Sequence, residues 1–267
     1  MMASSLIHMF LMGALSVATL FFVMWVIHLF LKNAAVVDVG WGLGFIVLSA
    51  VYITQGCGFN LRNTIYFLMI LFWGVRLAWY LIKRIAREKE EDKRYGKFRK
   101  SFGKMAWLKF LLIFELQAFL EMIIGVPFLI VALNAAAGIS WLEITGFVIF
   151  VLGLGGEALS DEQLRSFKKD PLNKGKTCDA GVWHYSRHPN YFFEWLLWVG
   201  IFIYALASPM GWAAAVSPAV MYYLLRYVSG VPLAEEQSLI SRGDEYRKYQ
   251  ETTSVFFPVY KRRLIRS

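Results

Sequence analysis

Cysteine and histidine are scarce in this chain, two and four among 267 residues, and none falls in a CxxC or a His/Cys cluster. That scarcity excludes a disulfide scaffold and argues against a structural zinc site. Charge is sparse as well. Asp, Glu, Lys and Arg make up 18% of the chain, short of the roughly 25% of soluble domains. No internal repeat and no low-complexity linker appears, so neither a solenoid nor a string of domains is expected. Residues 1–267 read as a single membrane domain. Met1–Ile7 has no lysine or arginine, whereas a secretory signal begins with a positive segment. The apolar stretch behind it is therefore expected to be a retained anchor.

What the chain has instead is apolar length. Hydrophobic residues reach 58% and fall in runs long enough to cross roughly 30 Å of hydrocarbon as helices. Seven spans are predicted: Leu6–Leu31, Val36–Ile53, Asn63–Ile82, Trp107–Leu133, Trp141–Leu159, Tyr191–Ala207 and Trp212–Val228. The expected fold class is all-α, a polytopic membrane protein of seven transmembrane helices with a cytoplasmic cap of loops and short helices. The net charge of +9 collects in three segments, Lys83–Lys104, Arg165–Arg187 and the tail from Arg247 to Arg266. The opposite connections are nearly free of cations, Arg62 excepted. Alternation over seven spans then puts the N-terminus outside and the C-terminus in the cytoplasm. Cys57 and Cys178 fall on opposite sides and cannot pair. Cations flanking apolar spans favour anionic headgroups or an anionic cofactor over nucleic acid, which is not expected as a partner.

Two charged stretches have a local reading. Ala86–Lys104 interleaves Glu88, Glu90, Glu91 and Asp92 with cations. It predicts a solvated helical extension of the third span, with Tyr95, Phe98 and Phe102 as an apolar edge against the membrane surface. After Gly230, Pro232 marks the start of a short helix, and Arg242-Gly-Asp predicts a turn into a second.

Ionisable residues within or at the edge of the spans are Asp38, Arg76, Glu115, Glu121, Glu157, Asp161, Glu194 and Arg226. In a membrane such a charge marks function unless a neighbouring helix pairs it; Glu115 and Glu121 could pair with Lys109. Gly153-Leu-Gly-Gly156-Glu-Ala158 has the outline of a GxGxxA dinucleotide loop. It lies inside a membrane-length run with no βαβ unit after it, so its glycines are better explained by close helix packing.

The segment richest in chemistry is Gly181-Val-Trp-His-Tyr-Ser-Arg-His-Pro-Asn-Tyr-Phe-Phe-Glu194. Asn190 and Glu194 lie one turn apart on one helix face at the membrane surface. Glu157 and Asp161, also one turn apart, stand at the same cytoplasmic level beside Arg165, Arg187 and His188. Arginine grips phosphate or carboxylate with a bidentate fork, while carboxylates and Asn190 serve amide, amine or ribose hydroxyl groups. Trp183, Tyr185 and Tyr191 offer aromatic faces to a ring. This group is expected to bind a polyfunctional, partly anionic cofactor, with a lipidic substrate entering from the membrane.

Gly181–Glu194, with Glu235-Glu236, Tyr246, Tyr249 and Phe256-Phe-Pro258, resembles the C-terminal half of the steroid 5α-reductases and their bacterial relatives. The likeness is clearest over residues 155–260, and Val37-Asp-Val-Gly-Trp41 and Trp73-Gly-Val-Arg76 extend it into the first half. It implies a seven-helix enzyme of the bacterial inner membrane. Such an enzyme uses NADPH to reduce a carbon–carbon double bond conjugated to a ketone in a steroid-like or other lipid. Residues 1–134 would be substrate-side helices and 135–267 the cofactor-binding half. The resemblance assigns Asn190 and Glu194 to the nicotinamide end, and Asp161, Arg165 and Lys168 to the ribose and phosphates. Glu157, Tyr185, Arg187, His188, Tyr191, Glu235, Glu236 and Tyr246 complete the cofactor set. Asp38 and Tyr80 stand nearest the family's substrate-polarising pair and are assigned that role. No metal and no obligate protein partner is implied; the surroundings are membrane lipids. Arg187-His-Pro-x-Tyr191 and Glu235-Glu236 with Tyr246 also resemble the isoprenylcysteine and phospholipid methyltransferases, which bind S-adenosylmethionine. Lipid methylation is thus the alternative, and a non-catalytic lipid-binding protein a third reading.

Overall fold

The computed structural model describes residues 2–87, 91 and 93–261. Glu88, Lys89, Glu90 and Asp92 of the charged connection, and Arg262, Arg263 and Arg266 of the tail, lie outside the described residues. Every regular element among the described residues is helical. The helices are α1 (Met2–Leu31), α2 (Val36–Gln55), α3 (Leu61–Arg87), α4 (Lys93–Phe102), α5 (Ala106–Ile124), α6 (Val126–Ala132), α7 (Trp141–Lys169), α8 (Pro189–Ala205), α9 (Val216–Tyr223), α10 (Val231–Arg242) and α11 (Asp244–Thr252). The chain divides into two compact units, residues 1–140 with 205–216 and residues 141–204 with 217–267.

In the first unit α2 is the hub and packs against α1, α3, α5 and α6. The glycines that interrupt its apolar run explain this. A Cβ on Gly40 would lie 2.9 Å from the Phe21 ring of α1, one on Gly42 2.5 Å from the Gly74 carbonyl of α3, and one on Gly44 2.0 Å from the Glu121 carboxyl of α5. Three partners approach because three side chains are missing. Phe45, also on α2, packs on Trp73 and Phe128 with each pair of ring centroids 5.7 Å apart. Arg62, the outlying cation of the sequence, is buried and donates to the carbonyls of Ala136 and Gly138 at 2.6 and 2.7 Å.

The charged connection is not one extension of α3. Glu91 lies outside any helix, and α4 is a separate helix. Glu91 ties the connection to the start of α2. It accepts the Ala34 N–H at 2.8 Å and both arms of Arg99 at 2.9 and 2.7 Å. Tyr95 turns inward, whereas Phe98 is exposed and stacks on Phe102.

Among the described residues, four helices are long and apolar enough to cross a bilayer: Leu6–Leu31, Val36–Gln55, Leu61–Arg87 and Trp141–Lys169. The fourth expected span, Trp107–Leu133, is a bent pair. The helical run from Tyr95 to Ile124 meets Val126–Ala132 at 46°, and counting the pair as one span makes five. Proline at 127 cannot donate to the carbonyl four residues earlier, which accounts for the break. The last two expected spans are not among these helices. Helix α8 has 17 residues, about 25 Å of rise. The stretch expected at Trp212–Val228 is split into a 3-10 turn (Gly211–Ala215), α9 and a π-helical turn (Leu224–Val228). Hydropathy registers apolar length but not such changes of helical pitch.

In the second unit, α7 and α8 run antiparallel in close contact. Cβ atoms on Gly146 and Gly153 would fall 2.4 and 2.6 Å from the backbone nitrogens of Tyr204 and Leu197, and one on Gly156 2.2 Å from the Phe193 ring. Of the dinucleotide-like glycines, Gly153 and Gly156 pack against α8, whereas Gly155 faces open space. Beyond them, α10 begins at Val231-Pro232, and Gly243 at φ +55° turns the chain into α11, as the sequence predicts.

Candidate functional site

The antiparallel register pairs Gly146 with Tyr204, Gly153 with Leu197 and Gly156 with Phe193. It therefore brings Glu157 and Asp161 to the level of Asn190 and Glu194, as the residue spacing suggests. The loop before α8 is fastened to the same end of α7. The Trp183 indole N–H donates to the Ser160 carbonyl at 3.0 Å, and the Val182 N–H donates to Gln163 Oε1 at 3.0 Å.

A second set of bonds zips this loop to the C-terminal segment. The Arg187 N–H donates to Ser254 O at 2.8 Å, and the Val259 N–H to Tyr185 O at 3.1 Å. Ser186, fully buried, donates to Phe256 O at 2.8 Å and accepts the His188 N–H at 3.1 Å. The Tyr249 hydroxyl bonds to the carbonyls of Trp183 and Ser186. Two segments some seventy positions apart thus satisfy one another's buried backbone groups.

At the centre stands Glu235. Its Oε1 accepts Arg187 Nε at 2.7 Å and lies 3.3 Å from His188 Nε2, and its Oε2 accepts Gln250 Nε2 at 3.0 Å. Arg187 also donates through Nη1 to the carbonyls of Gln250 and Thr253 at 2.8 and 2.7 Å. The Arg187 and Glu235 side chains are only 11% and 17% exposed, too buried for the small energies of surface ion pairs. The His188 ring stacks on Tyr191 at 5.4 Å and 7°. Arg187, Thr252, Thr253, Ser254 and Tyr260 also line a cavity of about 210 Å³, whose hydroxyls and guanidinium suit a polar occupant.

Burial works against the charge on Glu235, yet hydrogen bonds and charge from His188 and Arg187 draw its carboxyl down to about 2. Burial pushes His188 below its ordinary 6.5, and the bond to Glu235 only partly opposes this. We read His188 as a neutral ring donating its Nε2 proton to the carboxylate, with Arg187 as the countercharge. Both shifts are depressions, so between its folded and ordinary values each group binds more protons unfolded than folded, and acid favours unfolding. The melting temperature, followed by tryptophan fluorescence, should fall as the pH drops below about 6.5 through His188 and again below about 4.5 through Glu235. His188→Asn should reduce the first decline and leave the second.

The other expected residues are distributed as follows. Glu157 is buried and Asp161 half-buried on α7. Arg165 makes an exposed pair with Glu162 at 2.9 Å, and Lys168 is exposed. Glu194 accepts the Trp198 indole N–H at 3.0 Å. Asn190 Oδ1 is buried with no hydrogen-bond partner among the described residues. Tyr185 is exposed, edge-on to Tyr260, and Glu236 is exposed while Glu235 turns in. Tyr246 is buried under Arg242, and burial pushes its phenol up to about 12, with the Glu235 charge adding to it. Asp38 and Tyr80 belong to the first unit. Asp38 Oδ1 accepts the Tyr95 hydroxyl at 2.9 Å, and Tyr80 is 48% exposed on α3. Gln250 and Ser186 carry no site signal in the sequence, and Tyr95 reads there only as part of an apolar edge. No spacing signal points to them, because their partners are distant in the chain.

Over 47 aligned residues the chain is 47% identical to the Probable O-methyltransferase ustE of Ustilaginoidea virens, a match covering 18% of this chain and 16% of that protein. Over 281 aligned positions it is 25% identical to the uncharacterized protein C594.04c of Schizosaccharomyces pombe, covering 93% of this chain and 79% of that one. No solved structure matches it. The family described as Protein of unknown function (DUF1295) matches residues 24–253, most of the chain, and the chain belongs to that family.

Proposed function

We propose that the chain is an integral membrane reductase that uses NADPH to saturate a carbon–carbon double bond conjugated to a ketone in a steroid-like or other lipid. The observation that carries this reading is the orphaned oxygen of Asn190. A buried amide oxygen without a donor costs about 1–3 kcal/mol, and the carboxamide NH2 of a nicotinamide is a donor of matching kind. Glu194, one turn along α8, can take a second amide hydrogen. Asp161, Arg165 and Lys168, with the polar cavity beside Arg187, would receive the ribose and phosphates. When bound, NADPH would supply the hydride. His188 and Tyr191 form a stacked aromatic floor at the helix start, and the Arg187–Glu235 hub holds that floor in place. Asp38 and Tyr80 would polarise the ketone, with Tyr95 orienting the Asp38 carboxyl. In this reading α8 and the split segment 211–228 complete seven crossings, with the N-terminus outside and the C-terminus in the cytoplasm of a bacterial inner membrane.

The match to ustE favours a second reading, methyl transfer from S-adenosylmethionine, whose amine could also bond to Asn190. Binding separates the two. The purified protein in mild detergent should retain NADPH, seen by native mass spectrometry and by titration of nicotinamide fluorescence, and should not retain S-adenosylmethionine. Asn190→Leu should weaken NADPH binding about tenfold, the equivalent of one hydrogen bond, while the nucleotide-free melting temperature stays level or rises. Retention of S-adenosylmethionine without NADPH would reverse the assignment.

A further inference from the structure

Glu121 lies on α5 in the first unit, in the interior of the bent span. Its side chain is fully buried, and neither carboxyl oxygen has a hydrogen-bond partner among the described residues. The sequence reading offered Lys109 as a partner, but that ammonium sits over the Phe102 ring at 4.9 Å. The carboxyl instead rests in the notch of Gly44, where a Cβ would come within 2.0 Å of Oε2. Gly44 is near the middle of α2, and Glu121 is about 21 Å along its helix from Trp107. The group therefore lies deep in the hydrocarbon layer, where polar side chains are rare and mark function.

Two neighbouring features belong to the same place. One turn earlier, Gln117 Oε1 accepts the Trp41 indole N–H at 2.9 Å, so α5 turns a short polar stripe toward α2. One turn later the span breaks. The Gly125 N–H donates back to the Glu121 carbonyl at 2.7 Å, and Pro127 leaves the Ile123 carbonyl without its helical donor. A broken helix beside an inward polar group is how membrane proteins build sites at mid-depth. A divalent cation would require several oxygen ligands. No group of three metal-ligating side chains occurs among the described residues, and the buried residues next along the two helices, Phe45 and Leu48 on α2 and Met122 on α5, are apolar. Such surroundings fit the polar end of an apolar molecule.

We infer that Glu121 is the polar anchor of a lipid site in the first unit, its carboxyl hydrogen-bonding the hydroxyl or ketone oxygen of an otherwise hydrocarbon ligand. The anchor stands apart from the reductase reading, which assigns the enone ketone of the substrate to Asp38 and Tyr80; the ligand at Glu121 is a separate lipid. The full-length protein, reconstituted in phosphatidylcholine–phosphatidylglycerol vesicles, is treated with the membrane-soluble reagent dicyclohexylcarbodiimide and mapped by peptide mass spectrometry. Glu121 should be modified. Cholestenone or octadecanol should slow that modification about tenfold, while the hydrocarbons cholestane and octadecane should not. Absence of modification overturns the anchor, because a group open to a membrane ligand is open to a membrane reagent. Equal protection by ketone and hydrocarbon, or protection by neither, also overturns it. Glu121→Gln confirms the assigned position by losing the adduct, and the wild-type protection pattern decides even if that variant folds poorly. Selective protection without NADPH binding leaves the anchor and removes the reductase; NADPH oxidation without protection does the reverse.

Discussion

Changing Arg187 to alanine should destabilise the second unit by about 3–5 kcal/mol, the range for removing one partner of a buried ion pair. Glu235 is 17% exposed, so its charge cannot recover its hydration once the guanidinium is gone. The carbonyls of Gln250 and Thr253 lose their donor in the same step. Arg187→Lys should fall between the two, because an ammonium on a flexible stem keeps the charge but cannot reproduce a planar fork aimed at three acceptors. The double variant Arg187→Met with Glu235→Leu should recover part of the loss, since apolar replacement of both partners removes the unpaired charge. Denaturant melts in detergent, followed by tryptophan fluorescence, measure all three. An alanine variant as stable as the parent would show the hub to be dispensable.

Gly146→Ala should be among the most damaging single methyls added to this chain, at the upper end of the roughly 1–3 kcal/mol typical of overpacking. The added carbon would meet backbone, 2.4 Å from Tyr204 N and 2.7 Å from Gly200 O, and backbone cannot rotate out of the way. Helices α7 and α8 would have to part, moving Asn190 and Glu194 away from Glu157 and Asp161. If the proposed reductase reading holds, loss of NADPH binding should therefore accompany the loss of stability. Gly155→Ala is the control on the same helix. Nothing lies within 4 Å of its Cβ position, so it should be neutral or stabilising by up to about 1 kcal/mol from helix propensity. The two alanines behaving alike in a thermal melt would refute the packing argument.

Much of the architecture was legible from local pattern. The apolar runs of α1, α2, α3 and α7, the Pro232 start of α10 and the Gly243 turn each depend on a few adjacent residues. Asn190 and Glu194 on one face, with Glu157 and Asp161 near them, followed from helical spacing and from charges set at one membrane level. Other features were not legible. The fourth span reads as continuous in hydropathy, yet Gly125 and Pro127 bend it by 46°. The glycines of α2 weaken it as a predicted span, yet they make it the packing centre. Lys109 was a reasonable partner for Glu121 by sequence distance, but it prefers an aromatic face.

Composition and spacing alone determined that the chain is helical, with several helices long and apolar enough to cross a membrane, and singled out Gly181–Glu194 as its segment richest in polar and aromatic groups. These are local quantities: hydrophobic length, helical period and the sign of nearby charge. The tertiary structure decided which charges are matched and which are left over. Arg187 finds Glu235 across 48 positions of chain, Asn190 keeps a bare oxygen, and Glu121 is lodged against Gly44. Pairing at that range depends on the register of packed helices, which close backbone contacts set and no single segment encodes.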